Sequence, residues 1–349
     1  MKVWLLSAYR SASHACWADW LTRSLDDCDW SLRELPGRHF RWRIRGNPLS
    51  WWQQLPTSVP DLIVATSMVD VATIKGLHPQ IAHTPVLLYF HENQFAYPVG
   101  EHQVRSIEPQ MVQLYSALAA TRCAFNSHYN LDTFHDGVRR LLAKMPDAVP
   151  QGIDEHLREK SVQLAVPVQA LPGSEKQRGL ILWNHRWEYD KAPEIFAEAM
   201  IRLAASGVDF KLALLGARAA RTPAALQRLR DTLPERIIVD AEVDKAQYRH
   251  WLARSAIVVS TALHEFQGLS VMQAVSAGAT PLLPDALCYR EQYPEIYRYP
   301  PGDDEALVSR LQQWLQDRRP APPDISVFYP QSLLNDWRML LRRTANGTS

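Results

Sequence analysis

The chain predicts two doubly wound α/β domains, and three observations carry that expectation. Short apolar runs alternate with helical patterns along the whole length, as in βαβ units on parallel sheets. The alternation pauses at a polar, turn-rich stretch, Gln169 to Gly179, and then begins again. At 349 residues the chain is also long enough for about two domains of roughly 100–200 residues, each able to bury a core.

Met1–Ser7 reads as the start of a first strand rather than a leader. Strands are expected at Val3–Ala8, Leu62–Thr66, Val86–Phe90, Cys123–Asn126 and Val162–Val168. Helices fall near His14–Ser24, Ile107–Ala119 and His128–Ala143. After the hinge come Leu180–Asn184, Lys211–Leu215, Ile237–Asp240, Ile257–Ser260 and Pro281–Leu283, each followed by a helical stretch. This divides the chain into a first domain at 1–168, a hinge at 169–179 and a second domain at 180–328. Residues 329–349 carry an amphipathic helix, about Pro330–Arg342, expected to return to the first domain. Open α/β sheets bind ligands at the carboxyl ends of their strands, so a cleft between the domains is the expected site.

Composition narrows the function. With 46% hydrophobic residues and 38 basic against 37 acidic side chains, the chain is neither disordered nor a globally basic nucleic-acid binder. A local basic patch remains open. No apolar run reaches the roughly 18 residues a membrane span needs. Cys16, Cys28, Cys123 and Cys288 lack CxxC spacing and fit reduced thiols in the cytoplasm.

Three strand-end segments carry candidate chemistry. In Thr261–Gly278 a strand ends, a polar turn follows and an apolar helix starts near Gly268. A helix start offers free N–H groups and a positive dipole end to a phosphate, and Glu265 stands just before it. Trp183–Pro193 places Arg186 and Lys191 where two cations clamp a diphosphate. Tyr89–Pro98 brings His91, Glu92, Asn93 and Gln94 to a strand end of the first domain, and Asn126-Ser127-His128 adds a similar lip. Separately, no acidic residue occurs from Leu35 to Pro60, where Arg38, Arg41, Arg43 and Arg45 alternate with Phe40, Trp42, Trp51 and Trp52. Arginines neutralise phosphates and aromatic faces stack on unpaired bases. The alternation in Phe40–Ile44 also fits an edge strand with apolar residues inward, the lesser of the two readings. Asp27-Cys28-Asp29 spells a metal-binding pattern but follows a helix far from these segments, and a solvated helix end explains it. No His/Asp/Glu spacing suggests a dedicated metal site.

Together, the Arg…Lys pair after the second domain's first strand and Glu265 opening an E-x7-E-like motif resemble the retaining GT-B glycosyltransferases of the family-4 type. Tyr89–Pro98, the HRWE-x-DK string in Trp183–Lys191, His264–Gly268, Phe40–Arg45 and Pro284–Tyr299 resemble the tRNA-queuosine α-mannosyltransferase family, over nearly the whole chain. The resemblance implies transfer of mannose from GDP-mannose to the cyclopentenediol of queuosine in a tRNA anticodon, with the α configuration kept. It implies Arg186 and Lys191 at the diphosphate, Glu265 on the donor-sugar hydroxyls, Gln267-Gly268-Leu269 beside the phosphate and His91 near the transferred sugar. The Arg41–Arg45 stretch (Arg41, Trp42, Arg43, Arg45) and Asn93-Gln94 are expected on the acceptor side. Two departures stand out. The second Glu of E-x7-E, a ribose contact, is Gln273, and the glycine-rich first loop is Arg10-Ser11-Ala12-Ser13-His14.

No cofactor, metal, membrane or obligate protein partner is expected, only tRNA and a nucleotide sugar. The competing readings are a family-4-like enzyme acting on a lipid, glycan or small-molecule acceptor, a non-catalytic RNA- or nucleotide-binding relic, and a sugar-nucleotide epimerase.

Overall fold

The computed structural model describes residues 1–97, 106–218 and 222–347. Pro98, the last residue of the Tyr89–Pro98 string, and the last two residues of the tail lie outside them. The chain divides into two compact units, residues 1–167 with 331–349, and residues 168–330.

The first unit runs β1 (Lys2–Arg10), α1 (Ala12–Ser24), β2 (Asp29–Pro36), α2 (Phe40–Ser50), β3 (Leu62–Thr66), α3 (Val71–Leu77), β4 (Val86–Phe90), α4 (Glu108–Ala119), β5 (Arg122–Phe125), α5 (His128–Leu142), α6 (Ile153–Glu159) and β6 (Ser161–Gln163). Its sheet is parallel throughout, in the order β2-β1-β3-β4-β5-β6. β3 and β4 are buried along their whole length, which is why LIVAT and VLLYF read as continuous apolar runs.

The second unit runs β7 (Leu180–Trp183), α7 (Pro193–Ala205), β8 (Lys211–Leu215), α8 (Ala224–Thr232), β9 (Ile237–Ala241), α9 (Lys245–Arg254), β10 (Ile257–Val259), α10 (Leu269–Ser276), β11 (Thr280–Pro284), α11 (Tyr289–Gln292), β12 (Arg298–Tyr299) and α12 (Asp304–Gln313). This sheet is also parallel, ordered β12-β11-β10-β7-β8-β9. Numbered from its own first strand, the order is 6-5-4-1-2-3, the doubly wound nucleotide-binding arrangement. Its direction reverses between β7 and β10, and ligands sit at such a switch point.

A last helix, α13 (Pro330–Ala345), packs on the first unit. Trp337 is fully buried there, 4.9 Å from the Tyr89 ring and 5.7 Å from that of Trp17, and donates to Ala165 O at 3.1 Å. Arg342 and Arg338 of the same helix reach Asp27 at 2.7 and 3.6 Å. The Asp27-Cys28-Asp29 pattern is therefore an ion-pair anchor rather than a solvated helix end.

Two local expectations are corrected, and one strand is added. Phe40–Ile44 is helix, not edge strand, because Ile44, Asn47 and Trp51 turn one face inward. Pro48 has no N–H for the Ile44 carbonyl, and Asn47 Nδ2 donates to it instead at 3.2 Å, and to Arg43 O at 2.8 Å. The edge position belongs to β2, whose mixed polarity hid it. The strand expected at Val162–Val168 stops at Gln163, because its partner β5 ends at Phe125. No described helix is long and apolar enough to cross a membrane.

Trp337→Ala removes a fully buried indole and its hydrogen bond. We expect a loss of about 3–5 kcal/mol from the first unit, read as a shift in the denaturant midpoint.

Candidate active site

The loops after β7 and β10 meet at the switch point of the second sheet. The loop after β7 carries Asn184, His185, Arg186 and a short turn, Tyr189–Lys191. That after β10 carries Thr261, His264, Glu265 and Gly268, and leads into α10. Backbone bonds join them. Leu263 and His264 donate to Asp190 O at 2.9 and 3.2 Å, and Thr261 Oγ1 donates to Lys191 O and Ala192 O at 2.9 and 3.0 Å.

Lys191 sits at the junction, 7% exposed. Its ammonium donates to His264 O at 2.6 Å and Glu265 Oε2 at 3.1 Å, and lies 3.2 Å from Asp190 Oδ2. All three of its protons thus have acceptors. Burial works to lower its pKa, but Glu265 and Asp190 reverse that and hold it above its ordinary value. For Glu265, burial alone favours the neutral acid. The charge and hydrogen bond of Lys191, the His185 imidazole and the Gly268 N–H overcome it and bring the carboxyl down to about 2.

His185 and His264 flank this pair, and burial first, then Lys191, lowers both to about 4. Both imidazoles are neutral near pH 7. His185 Nδ1 is 3.5 Å from Ser270 Oγ in the first turn of α10. Arg186 is half-exposed, 2.7 Å from Glu188 and 3.4 Å from Asp190. The two expected cations are therefore compensated by three carboxylates rather than standing free.

Two glycines shape the loops. Gly268 has φ +73°, and a Cβ there would fall 2.9 Å from Tyr289. Gly216, after β8, has φ +123°, and a Cβ would fall 2.0 Å from His185 O. Leu269 follows Gly268 half-buried. Gln267 is buried, and its carbonyl accepts from Gln292 Nε2 at 3.1 Å. Gln273, one turn into α10, accepts from Tyr248 OH at 3.1 Å.

The expected residues of the first unit are dispersed. His91 is 6% exposed, wedged among His14, Trp17 and Tyr89 with ring centroids 4.1–4.8 Å apart, rather than standing open at the strand end. Burial, then His14, holds it well below the ordinary histidine pKa. Asn93 is fully buried. Its Nδ2 donates to Asn130 O, Asn130 Oδ1 and Thr133 Oγ1 at 2.9–3.1 Å, while Oδ1 accepts from Phe95 N and Ala96 N. That amide is a turn-former with nothing left for an acceptor substrate. Gln94 is half-buried, its N–H donating to Gln113 Oε1 at 2.7 Å and its carbonyl accepting from Gln110.

On α2, Arg41, Trp42 and Arg45 are exposed, and the Trp42 indole lies against Gly46. Arg45 pairs with Asp70 at 2.8 Å. Arg43 is half-buried and donates to Pro36 O at 3.3 Å, and Trp51 belongs to the core. The exposed basic patch thus comprises Arg38, Arg41, Trp42 and Arg45, with the exposed Trp52 beyond the helix end.

Asp190, Thr261, Tyr248 and Gly216 were not singled out from the sequence. Asp190 stood inside the HRWE-x-DK string, where its charge reads as a loop residue. Thr261 likewise stood inside the Thr261–Gly278 segment, while Tyr248 and Gly216 have no local signal, because their role comes from what folds against them.

Residues 2–168 match the family described as tRNA-queuosine alpha-mannosyltransferase N-terminal, and residues 178–317 match Glycosyl transferases group 1. The tRNA-queuosine alpha-mannosyltransferase of Drosophila melanogaster is 29% identical over 322 residues, covering 88% of this chain and 85% of that one. The chain is thus similar to the tRNA-queuosine alpha-mannosyltransferases over its first 168 residues and to group 1 glycosyl transferases beyond them. It is a glycosyltransferase of the GT-B fold. Solved structures agree on that fold. Sucrose-phosphate synthase of Thermosynechococcus elongatus superposes with a TM-score of 0.76 at 13% identity, covering 99% of both chains. The lipopolysaccharide outer core galactosyltransferase WaaB superposes with 0.64 at 11% identity, over 97% and 98%.

The histidine pKa values set a pH dependence. Between about 4 and 6.5 the unfolded chain binds more protons at His185 and His264, so stability falls as pH drops through that window. Glu265 adds its loss only below its ordinary 4.5, towards about 2. We expect the denaturant midpoint of the second unit to fall from pH 6.5 to 4, and to fall less steeply in His185→Asn. A midpoint flat over that range contradicts the assignment.

Proposed function

We propose that this enzyme transfers mannose from GDP-mannose to the cyclopentenediol of queuosine in a tRNA anticodon, keeping the α configuration. The Drosophila relative, named for that acceptor and sugar, supports the substrates. The observation that carries the site is Glu265, ionised and fixed by Lys191 at the start of α10, with Arg186 3.4 Å from the Asp190 carboxylate that also faces Lys191. A carboxylate titrating near 2 is a poor general base, since base catalysis works best with a pKa near the working pH. It is a good acceptor for two sugar hydroxyls, and that is the role we give it.

The departing diphosphate takes the acceptor hydroxyl's proton as the new glycosidic bond forms on the same face. Arg186, the field of Lys191 and the unpaired first-turn N–H groups of α10 stabilise the charge that develops. No resident metal or cofactor is part of this proposal. On the acceptor side we assign Arg41, Trp42 and Arg45 to the tRNA backbone and an unpaired base, with the reaction in the cytoplasm, where that tRNA is read.

Incubation with labelled GDP-mannose and queuosine-containing tRNA, read by nucleoside mass spectrometry, should show queuosine gaining one hexose. Hydrolysed donor with unlabelled tRNA overturns the acceptor. Arg186→Ala should slow transfer roughly 10–100-fold, the loss of one charge-assisted contact of about 1.5–3 kcal/mol. Glu265→Gln should impair transfer more than it weakens binding of free GDP.

The acceptor assignment has its own test. tRNA affinity should fall steeply between about 50 and 200 mM salt. Arg41→Ala should flatten that slope by roughly one unit while leaving donor hydrolysis intact. Salt-independent binding of tRNA contradicts the patch.

A further inference from the structure

We infer that Tyr248 fixes the direction of the Gln273 amide, so that Gln273 offers N–H donors to the nucleotide; this rests on the donor reading above. The hydrogen-bond directions follow from one another. Ser270 O is a carbonyl and can only accept, so Asn184, 2.8 Å away, must turn its NH₂ towards it. The second proton of that NH₂ goes to Tyr248 OH at 3.0 Å. The hydroxyl's own proton then has one place to go, Gln273 at 3.1 Å, which must present Oε1. Burial pushes the Tyr248 phenol up to about 12, so this proton stays in place at working pH.

Turning Asn184 this way leaves its Oδ1 buried without a protein partner, a cost the opposite orientation would exceed by setting two acceptors face to face. The Nε2 of Gln273 is consequently turned away from Tyr248, and no hydrogen bond from it is seen among the described residues. Tyr248 is a positioning residue, and it acts from α9 upon α10.

The consequence is chemical. A glutamate at this position accepts a hydrogen bond from a ribose hydroxyl, whereas Gln273, held in this direction, donates one to the hydroxyl oxygen. The site therefore reads an acceptor on the nucleotide sugar, and the hydroxyl's own proton is dispensable. Fluorine keeps a weak acceptor and has no proton to give, which separates the two cases.

The experiment measures Kd for GDP and for its 2′- and 3′-deoxy and deoxyfluoro analogues. For wild type we expect hydrogen at the responsive position to cost about 5-fold and fluorine about 2-fold, the scale of one neutral hydrogen bond. Tyr248→Phe releases the amide, so GDP should weaken about 2–5-fold and the fluorine preference should vanish. Gln273→Glu, which leaves Tyr248 untouched and guards against a misfolded Tyr248 variant, should penalise fluorine at least as much as hydrogen.

Three outcomes overturn the inference alone while GDP binding stands: Tyr248→Phe keeping the fluorine preference, wild type penalising fluorine as much as hydrogen, or neither hydroxyl substitution changing affinity. Wild type that binds no GDP overturns the donor reading and this inference together.

Discussion

The second unit turns on one buried ammonium. A lysine 7% exposed is costly unless each of its protons finds an acceptor, and Lys191 finds a carbonyl and two carboxylates. Those acceptors lie on both loops of the switch point, so the energetic need of one side chain sets the distance between them. Glu265 inherits its position and its ionisation from this arrangement. The neutrality of His185 and His264 follows too, since the cation that stabilises the carboxylate disfavours a second positive charge beside it.

The sheet order explains why the cluster sits where it does. β7 and β10 are adjacent in the sheet but far apart in sequence, and their connections leave to opposite sides. In a doubly wound sheet the space above the carboxyl ends at such a point is where ligands bind, and α10 starts there with the Gly268 N–H already given to Glu265. In the first unit the corresponding strand ends are occupied differently. The end of β4 is filled by the Asn93–Asn130 network and by His91 packed on aromatic rings, so its polar density serves the fold.

Most of the fold was legible because parallel strands buried on both faces are spelled as apolar runs. Leu62–Thr66, Val86–Phe90 and Lys211–Leu215 coincide with their strands to the residue. What escaped was structure whose signal is tertiary. β2 is an edge strand that leaves half its surface wet, and α2 owes its helix to Asn47 mending the break at Pro48. That Arg186, Lys191, Glu265 and Gly268 come together at strand ends was legible from residue types at those positions. The electrostatics of the site were not, because the sequence shows charges without their partners: Lys191 reads as a free cation until Asp190 and Glu265 are seen against it. Asn93 failed for the same reason in reverse, a polar side chain whose every atom is spent internally.

The balance of charge divides the labour between the two cations. Arg186 and Lys191 face Glu188, Asp190 and Glu265, so the cluster is not net positive before a donor arrives, and the chain as a whole, at +1, adds no general attraction. Under the proposed function, a diphosphate would then be held by exchange and by dipoles. Lys191 is a poor candidate for exchange, because each contact it gives up strands a buried carboxylate or carbonyl. Arg186 is a good one. Its guanidinium is half-exposed, its tie to Glu188 is a solvated ion pair of little net value, and its planar fork matches a phosphate edge as well as a carboxylate. On the donor reading proposed above, Lys191 would be the fixed charge that builds the site, and Arg186 the movable one that follows the leaving group.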